Sequence, residues 1–196
     1  ERHQLIFEHT ELYSQGYFAY DSKKSGGVTI SHLRFGPDPI RKPYLIRKAD
    51  YIACHRPSYI YKYDLLRGFK PGGIFLLNSP WRKEDLARVL PAAMKRKLDA
   101  LKAKFYIIDA FEIAKNIGLG GRINMIMQSA FFHLTHIIPD ADAVKYLKDS
   151  NGKSYGRKGQ NVVDMNNKAV DAGMEGIVEV EVPAEWEHAT TGGSIA

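Results

Sequence analysis

The chain is 196 residues long, enough for one domain that buries roughly 70% of the surface of its unfolded form. Its 44% hydrophobic, 11% aromatic and 26% charged residues exclude a disordered protein. Twenty-eight Lys and Arg against 22 Asp and Glu leave a net charge of +6, which favours an anionic ligand or partner without choosing among them, and the single cysteine, Cys54, excludes an internal disulfide and any cysteine cluster for zinc or iron and sulfur.

No helix-turn-helix, finger or ribonucleoprotein signature is present, so nucleic acid is not an expected partner. No uncharged run approaches the ~18 residues of a membrane span, and Glu1-Arg2-His3-Gln4 lacks the apolar core of a signal peptide. A cytoplasmic location without membrane contact is expected. The chain opens on Glu rather than Met, which leads us to expect that it begins inside something longer.

Along the chain, Tyr20-Asp21-Ser22-Lys23-Lys24-Ser25-Gly26-Gly27 sets two cations beside a glycine pair. Its plainest reading is a solvated turn between two strands. The same residues suit an anion, because lysine offers a mobile point charge and glycine lets a phosphate approach the main chain. Residues 27–35 alternate as a strand, with Val28, Ile30 and Leu33 separated by polar residues, and Gly36-Pro37-Asp38-Pro39 ends it. Further strands are expected at 49–54, 73–77 and 105–108, short apolar runs that suit burial on both faces.

Helices are expected at 58–66, 83–90 and 91–104, the last with Met94, Leu98 and Leu101 on one stripe and Lys95, Arg96, Lys97 and Lys102 on a solvated face. Residues 110–117 read as a helix stopped by Gly118, and 123–134 as a buried helix crowded with Met and Phe. Two more helices follow at 139–147 and 162–172, then an extended segment at 177–182. Residues 189–196 have the composition of a linker or tail, leaving 1–188 as a single domain. The expected fold class is α/β: a mixed, largely parallel, curled sheet flanked by helices, with a helix-rich C-terminal half.

Few constellations carry chemistry. Cys54 and His55 are adjacent on an expected strand, so their side chains diverge and a buried structural cysteine is the better reading. His133 and His136 share a helix face, yet the sequence places no carboxylate pair at ligand spacing. Gly118-Leu119-Gly120-Gly121-Arg122-Ile123-Asn124 is a glycine turn opening a helix, which exposes main-chain N–H groups at the positive end of a helix dipole. It lacks the full dinucleotide pattern and follows a helix rather than a strand, so a helix stop with close packing competes with a ligand seat. Arg122 and Asn124 are the polar groups nearest this turn, and an Asn amide both donates to and accepts from an adenine or pantetheine amide. Tyr155-Gly156-Arg157-Lys158-Gly159-Gln160 is a further basic glycine turn, weak on its own.

Asp21-Ser22-Lys23-Lys24-Ser25-Gly26-Gly27 with Ser31-His32-Leu33-Arg34-Phe35-Gly36, then Gly118 to Met125, Ala130-Phe131-Phe132, Ile137-Ile138-Pro139 and Tyr155 to Gly159, resemble in order and spacing the third, or gamma, domain of pyruvate:ferredoxin (flavodoxin) oxidoreductases, of the 2-oxoacid oxidoreductase family. The resemblance spans roughly residues 13 to 186. It implies a non-redox domain that binds coenzyme A and is not catalytic alone. Thiamine diphosphate and four-iron four-sulfur clusters would lie in other domains or subunits, and ferredoxin or flavodoxin would partner the intact enzyme. Lys23 and Lys24 match lysines that meet coenzyme A phosphates, and Asn124 matches an asparagine on the same ligand. The family's Gly/Ser-rich segment, expected upstream, is not in this sequence. Two other readings remain: a structural docking domain whose lysines face water, and a nucleotide-dependent transferase, which would need a phosphate loop and general base not found here.

Overall fold

A computed structural model of the chain describes residues 13–21, 28–36 and 49–193. The chain divides into two compact units, Glu1–Arg47 and Lys48–Ala196. In the first, β1 (Tyr13–Asp21) and β2 (Val28–Gly36) pair antiparallel, from Tyr13 opposite Gly36 to Asp21 opposite Val28. The two strands expected on either side of the lysine turn are therefore present. The six residues joining them, Lys23 and Lys24 included, lie outside the described residues.

The second unit is built on one sheet with strand order β3 (Ala49–Cys54), β4 (Phe69–Asn78), β5 (Lys104–Ile108) and β6 (Val178–Val180). The first three run parallel and β6 runs antiparallel to β5, so the sheet is mixed and mostly parallel. It is not strongly curled, a departure from the curl expected above. Side chains alternate between two buried faces. Cys54, Phe75, Leu77, Phe105, Ile107 and Val180 join one core cluster, while Leu76 and Ile108, with Tyr51, Ala53 and Tyr106 beside them, join the other. Such double burial explains why these strands read as apolar runs rather than alternating ones. Phe75 and Phe105 stack across neighbouring strands with centroids 5.5 Å apart, a pairing worth about 0.5–1.5 kcal/mol beyond burial.

On the first face lie α1 (Tyr59–Lys62), a 3-10 turn at Lys83–Asp85, α2 (Leu86–Val89), α3 (Ala92–Ala100) and a 3-10 turn at Ala184–His188 that carries buried Trp186. The helix expected to run to residue 104 stops at Ala100. Lys102 adopts the left-handed conformation (φ 48°), and the Ala103 N–H closes back on the Leu98 carbonyl at 3.0 Å, a helix stop made without glycine. Lys95 also departs from expectation. It is buried rather than solvated, its Nζ donating to the Ala87 carbonyl at 2.6 Å and lying 6.0 Å from the centre of the Trp186 ring.

The second face is covered from α4 (Ala110–Ile117), α5 (Asn124–Thr135) and α7 (Gln160–Glu175), with α6 (Asp140–Tyr155) packed on α5 and α7. Ile126, Met127, Phe131 and Phe132 are all buried, as their crowding in the sequence implies. Helix α6 runs eight residues past its expected end at 147, reaching Tyr155. Its polar second half is held by α7: Lys148 pairs with Asp171 at 3.0 Å, and the Asn151 amide donates to Asn167 Oδ1 at 3.0 Å.

Candidate functional site

Two places in the second unit bring polar groups together. The first is the carboxyl edge of the parallel strands, the edge at which open α/β sheets bind ligands. Asn78, fully buried at the end of β4, donates from Nδ2 to the His55 carbonyl at 2.8 Å and accepts the Ala110 N–H on Oδ1 at 2.9 Å. One amide thus ties the loop after β3 to the start of α4. Next to it the Ser79 N–H donates to the Ile108 carbonyl at 2.8 Å, and Asp109 caps α4 by accepting the Glu112 N–H at 3.2 Å. These groups are saturated by one another, which makes the edge a structural staple rather than an open seat. Sequence reasoning missed Asn78 because it ended the strand at 77; an Asn-Ser pair directly after an apolar run was the available signal.

Cys54, at the end of β3, belongs to the same structural set. Its thiol is buried and donates to the Arg56 carbonyl at 3.0 Å, and burial pushes its pKa up from 9.0 to about 11 against the lowering effect of that bond. Burial that disfavours the thiolate makes a structural role the one its surroundings suit.

The second place is the glycine turn. Helix α4 carries the chain about 12 Å back from the carboxyl edge and ends at Gly118, whose φ of 102° is left-handed. The Gly118 N–H reaches the Lys115 carbonyl at 3.2 Å, the Leu119 N–H reaches the Ala114 carbonyl at 2.8 Å, and Leu119 is buried. This is a Schellman stop with its hydrophobic contact. Beyond it the chain is open: a side chain added at Gly120 or Gly121 would meet nothing within 4 Å.

Arg122 and Asn124 both follow this turn and both are exposed. The Arg122 Nε donates to the Leu119 carbonyl at 3.2 Å, which anchors the guanidinium at one corner, while its terminal nitrogens make no bond among the described residues. Asn124 is the first residue of α5. The first N–H bonded into the helix is that of Met127, to the Ile123 carbonyl at 3.0 Å, so those of Asn124, Met125 and Ile126 have no partner inside the helix at the positive end of its dipole, although Ile126 itself is fully buried. No acidic residue lies in the first turn of α5 to neutralise that end. Chemically, the turn offers an exposed guanidinium, an exposed amide and an uncapped helix start, groups of the kinds that a phosphate or an amide-bearing anion uses.

The expected histidine pair is engaged elsewhere. His133 Nδ1 donates to Asp140 Oδ2 at 2.7 Å, and His136, just past the end of α5, has its Nδ1 4.0 Å from Asp140 Oδ1. A carboxylate therefore does reach them, supplied by the start of α6. Among the described residues, no group of three or more His, Cys, Asp and Glu could hold a metal ion.

Residues 5–176 match the family model described as pyruvate ferredoxin/flavodoxin oxidoreductase. The chain belongs to this family. Among its curated relatives, the pyruvate:ferredoxin oxidoreductase of Moorella thermoacetica is 58% identical over 95% of this chain, and the pyruvate-flavodoxin oxidoreductase of Enterobacter agglomerans 59% identical over 94%. The chain spans 16% of the length of each. Solved structures share the fold: the pyruvate oxidoreductase subunit PORC of Thermotoga maritima has a TM-score of 0.65 at 20% identity, covering 92% of this chain and 88% of that one. A 2-oxoglutarate:ferredoxin oxidoreductase of Magnetococcus marinus, solved with 2-oxoglutarate, coenzyme A and succinyl-CoA bound, has a TM-score of 0.57 at 19% identity, covering 89% of this chain and 28% of that one. For a member of the pyruvate ferredoxin/flavodoxin oxidoreductase family the order of parts is as read from the sequence, with the glycine turn between two helices on one face of the sheet. Among the described residues, no helix is long and apolar enough to cross a membrane.

Proposed function

We propose that this chain is a coenzyme A-binding, non-redox domain of a cytoplasmic pyruvate:ferredoxin or pyruvate:flavodoxin oxidoreductase, which oxidatively decarboxylates pyruvate to acetyl-CoA and passes the electrons to a low-potential acceptor. Thiamine diphosphate and iron–sulfur clusters belong to other domains or subunits of that enzyme, and ferredoxin or flavodoxin is its partner. Cys54, the one cysteine of this chain, is buried.

The observation that carries the reading is the open glycine turn before α5, with Arg122 and Asn124 both exposed and no acidic residue in the first turn of the helix. Coenzyme A is a polyanion with two amides in its pantetheine arm. The anchored Arg122 fork pairs with a phosphate in a bidentate manner, and Asn124 pairs with an amide or an adenine edge. Lys23 and Lys24, matched through the family pattern, are the other residues proposed to meet coenzyme A phosphates. The domain's work is binding and orientation; it supplies no proton-transfer group to the reaction. Coenzyme A as ligand accords with the substrate found in the Magnetococcus enzyme of the same fold.

Titrating coenzyme A into the isotopically labelled 196-residue chain tests this reading. The amide signals of Gly120 and Gly121 are expected to move and saturate as coenzyme A is added, and to stay still in an Arg122→Ala/Asn124→Ala variant. Signals that stay still in the wild-type chain would leave the domain a structural docking part of the enzyme.

A further inference from the structure

The segment after β6 does not leave the α/β unit freely. Trp186 is buried in the core cluster of the first face, beneath the Lys95 ammonium, which is also bonded to the Ala87 carbonyl. Arg96, one residue on, donates to the Ala189 carbonyl. Further along, Gly192 (φ 145°) lies against the Leu90 carbonyl and the end of Lys95, where a side chain would collide, and Gly193 sits beside Tyr61. Two consecutive cations of α3 therefore grip a ten-residue segment whose own side chains, apart from Trp186, are mostly exposed.

We infer that residues 184–193 form a latched strap: Lys95, Arg96 and the bare backbone at Gly192 hold it on α3, it opens as a unit of its own below global unfolding, and it fixes the point beside Tyr61 from which the chain continues. Lys95 is the positioning residue. A lysine buried with one carbonyl and one indole face as partners costs desolvation that a solvated lysine would not. Its placement is accounted for by what it holds, since it bridges α2, α3 and the strap. The strap has little apolar area besides Trp186, which is the signature of a segment that opens before the core.

Hydrogen exchange on the 196-residue chain, followed in peptides covering 184–193 and β5, tests the latch. In the wild type, the strap should exchange more slowly than an isolated peptide of the same sequence yet faster than β5. Gly192→Ala, which places a methyl against Leu90, should speed strap exchange by about tenfold or more with β5 unchanged, and Lys95→Met should act in the same direction. A strap that exchanges at the free-peptide rate in the wild type, or one whose rate Gly192→Ala leaves alone, would overturn the latch. So would strap and β5 losing protection together in Gly192→Ala. That variant alters only the strap, so it decides the matter even if Lys95→Met does not fold.

Discussion

Asn78 illustrates how one buried polar side chain organises an edge of the sheet. Its amide meets one acceptor and one donor from two different segments, so an apolar replacement of similar size would remove both bonds and leave the Ala110 N–H facing an apolar side chain in a buried site. Asn78→Leu is expected to lower stability by about 2–5 kcal/mol, read as a fall in the urea midpoint with the slope unchanged. Cys54 is the second test at this scale. In the unfolded chain its thiol ionises near 9.0, whereas burial holds it protonated up to about 11. Between those values the folded state binds more protons, so this contribution is whole below pH 9 and is lost as pH rises toward 11. It amounts to about 2–3 kcal/mol. Urea unfolding at pH 8 and pH 11 should show that loss in the wild type and a smaller one in Cys54→Ala, the comparison removing the similarly raised Tyr61 and Tyr106. Equal losses would contradict the assignment. Cys54 was legible as structural because adjacent strand residues diverge; Lys95 was not, because nothing in a Lys-Arg-Lys run marks which lysine a tryptophan ninety-one residues later will cover.

Elements were legible where local chemistry and tertiary packing agree. Helix α4 occupies 110–117 as expected, since an Asp cap begins it and Gly118 ends it, and β3 occupies 49–54 as expected, although as the edge strand it is mostly half-buried, with only Cys54 fully buried. The departures occur where tertiary contacts override the local signal. Helix α3 stops on Lys102 in a conformation that glycine usually takes, and α6 continues through a polar stretch because α7 supplies partners for Lys148 and Asn151. The glycine turn itself has two halves with separate causes: Gly118 is a helix stop, and Gly120 and Gly121 form its open part. Gly118→Ala should therefore cost about 1–2 kcal/mol of stability for the left-handed backbone, with extra crowding against Met165, whose Sδ lies 3.3 Å from the added carbon. Thermal unfolding would register that cost. A change at Gly121, where space is open, should leave stability nearly unchanged and act on ligand binding instead.

At the scale of the whole molecule, the charge excess, the open glycine turn and family membership support the proposal of a polyanionic ligand. Of the proposed site, Arg122 and Asn124 are singled out by the glycine turn before them, and both are exposed. Lys23 and Lys24 were legible only through the family pattern, and they lie outside the described residues. They are also the residues on which the coenzyme A assignment is most exposed to test. The most direct measurement is steady-state kinetics of the intact oxidoreductase carrying Lys23→Ala and Lys24→Ala, with coenzyme A varied at saturating pyruvate and thiamine diphosphate. Losing charge-assisted contacts should raise the KM for coenzyme A by about tenfold or more while pyruvate decarboxylation proceeds at its normal rate. An unchanged KM for coenzyme A would contradict the account.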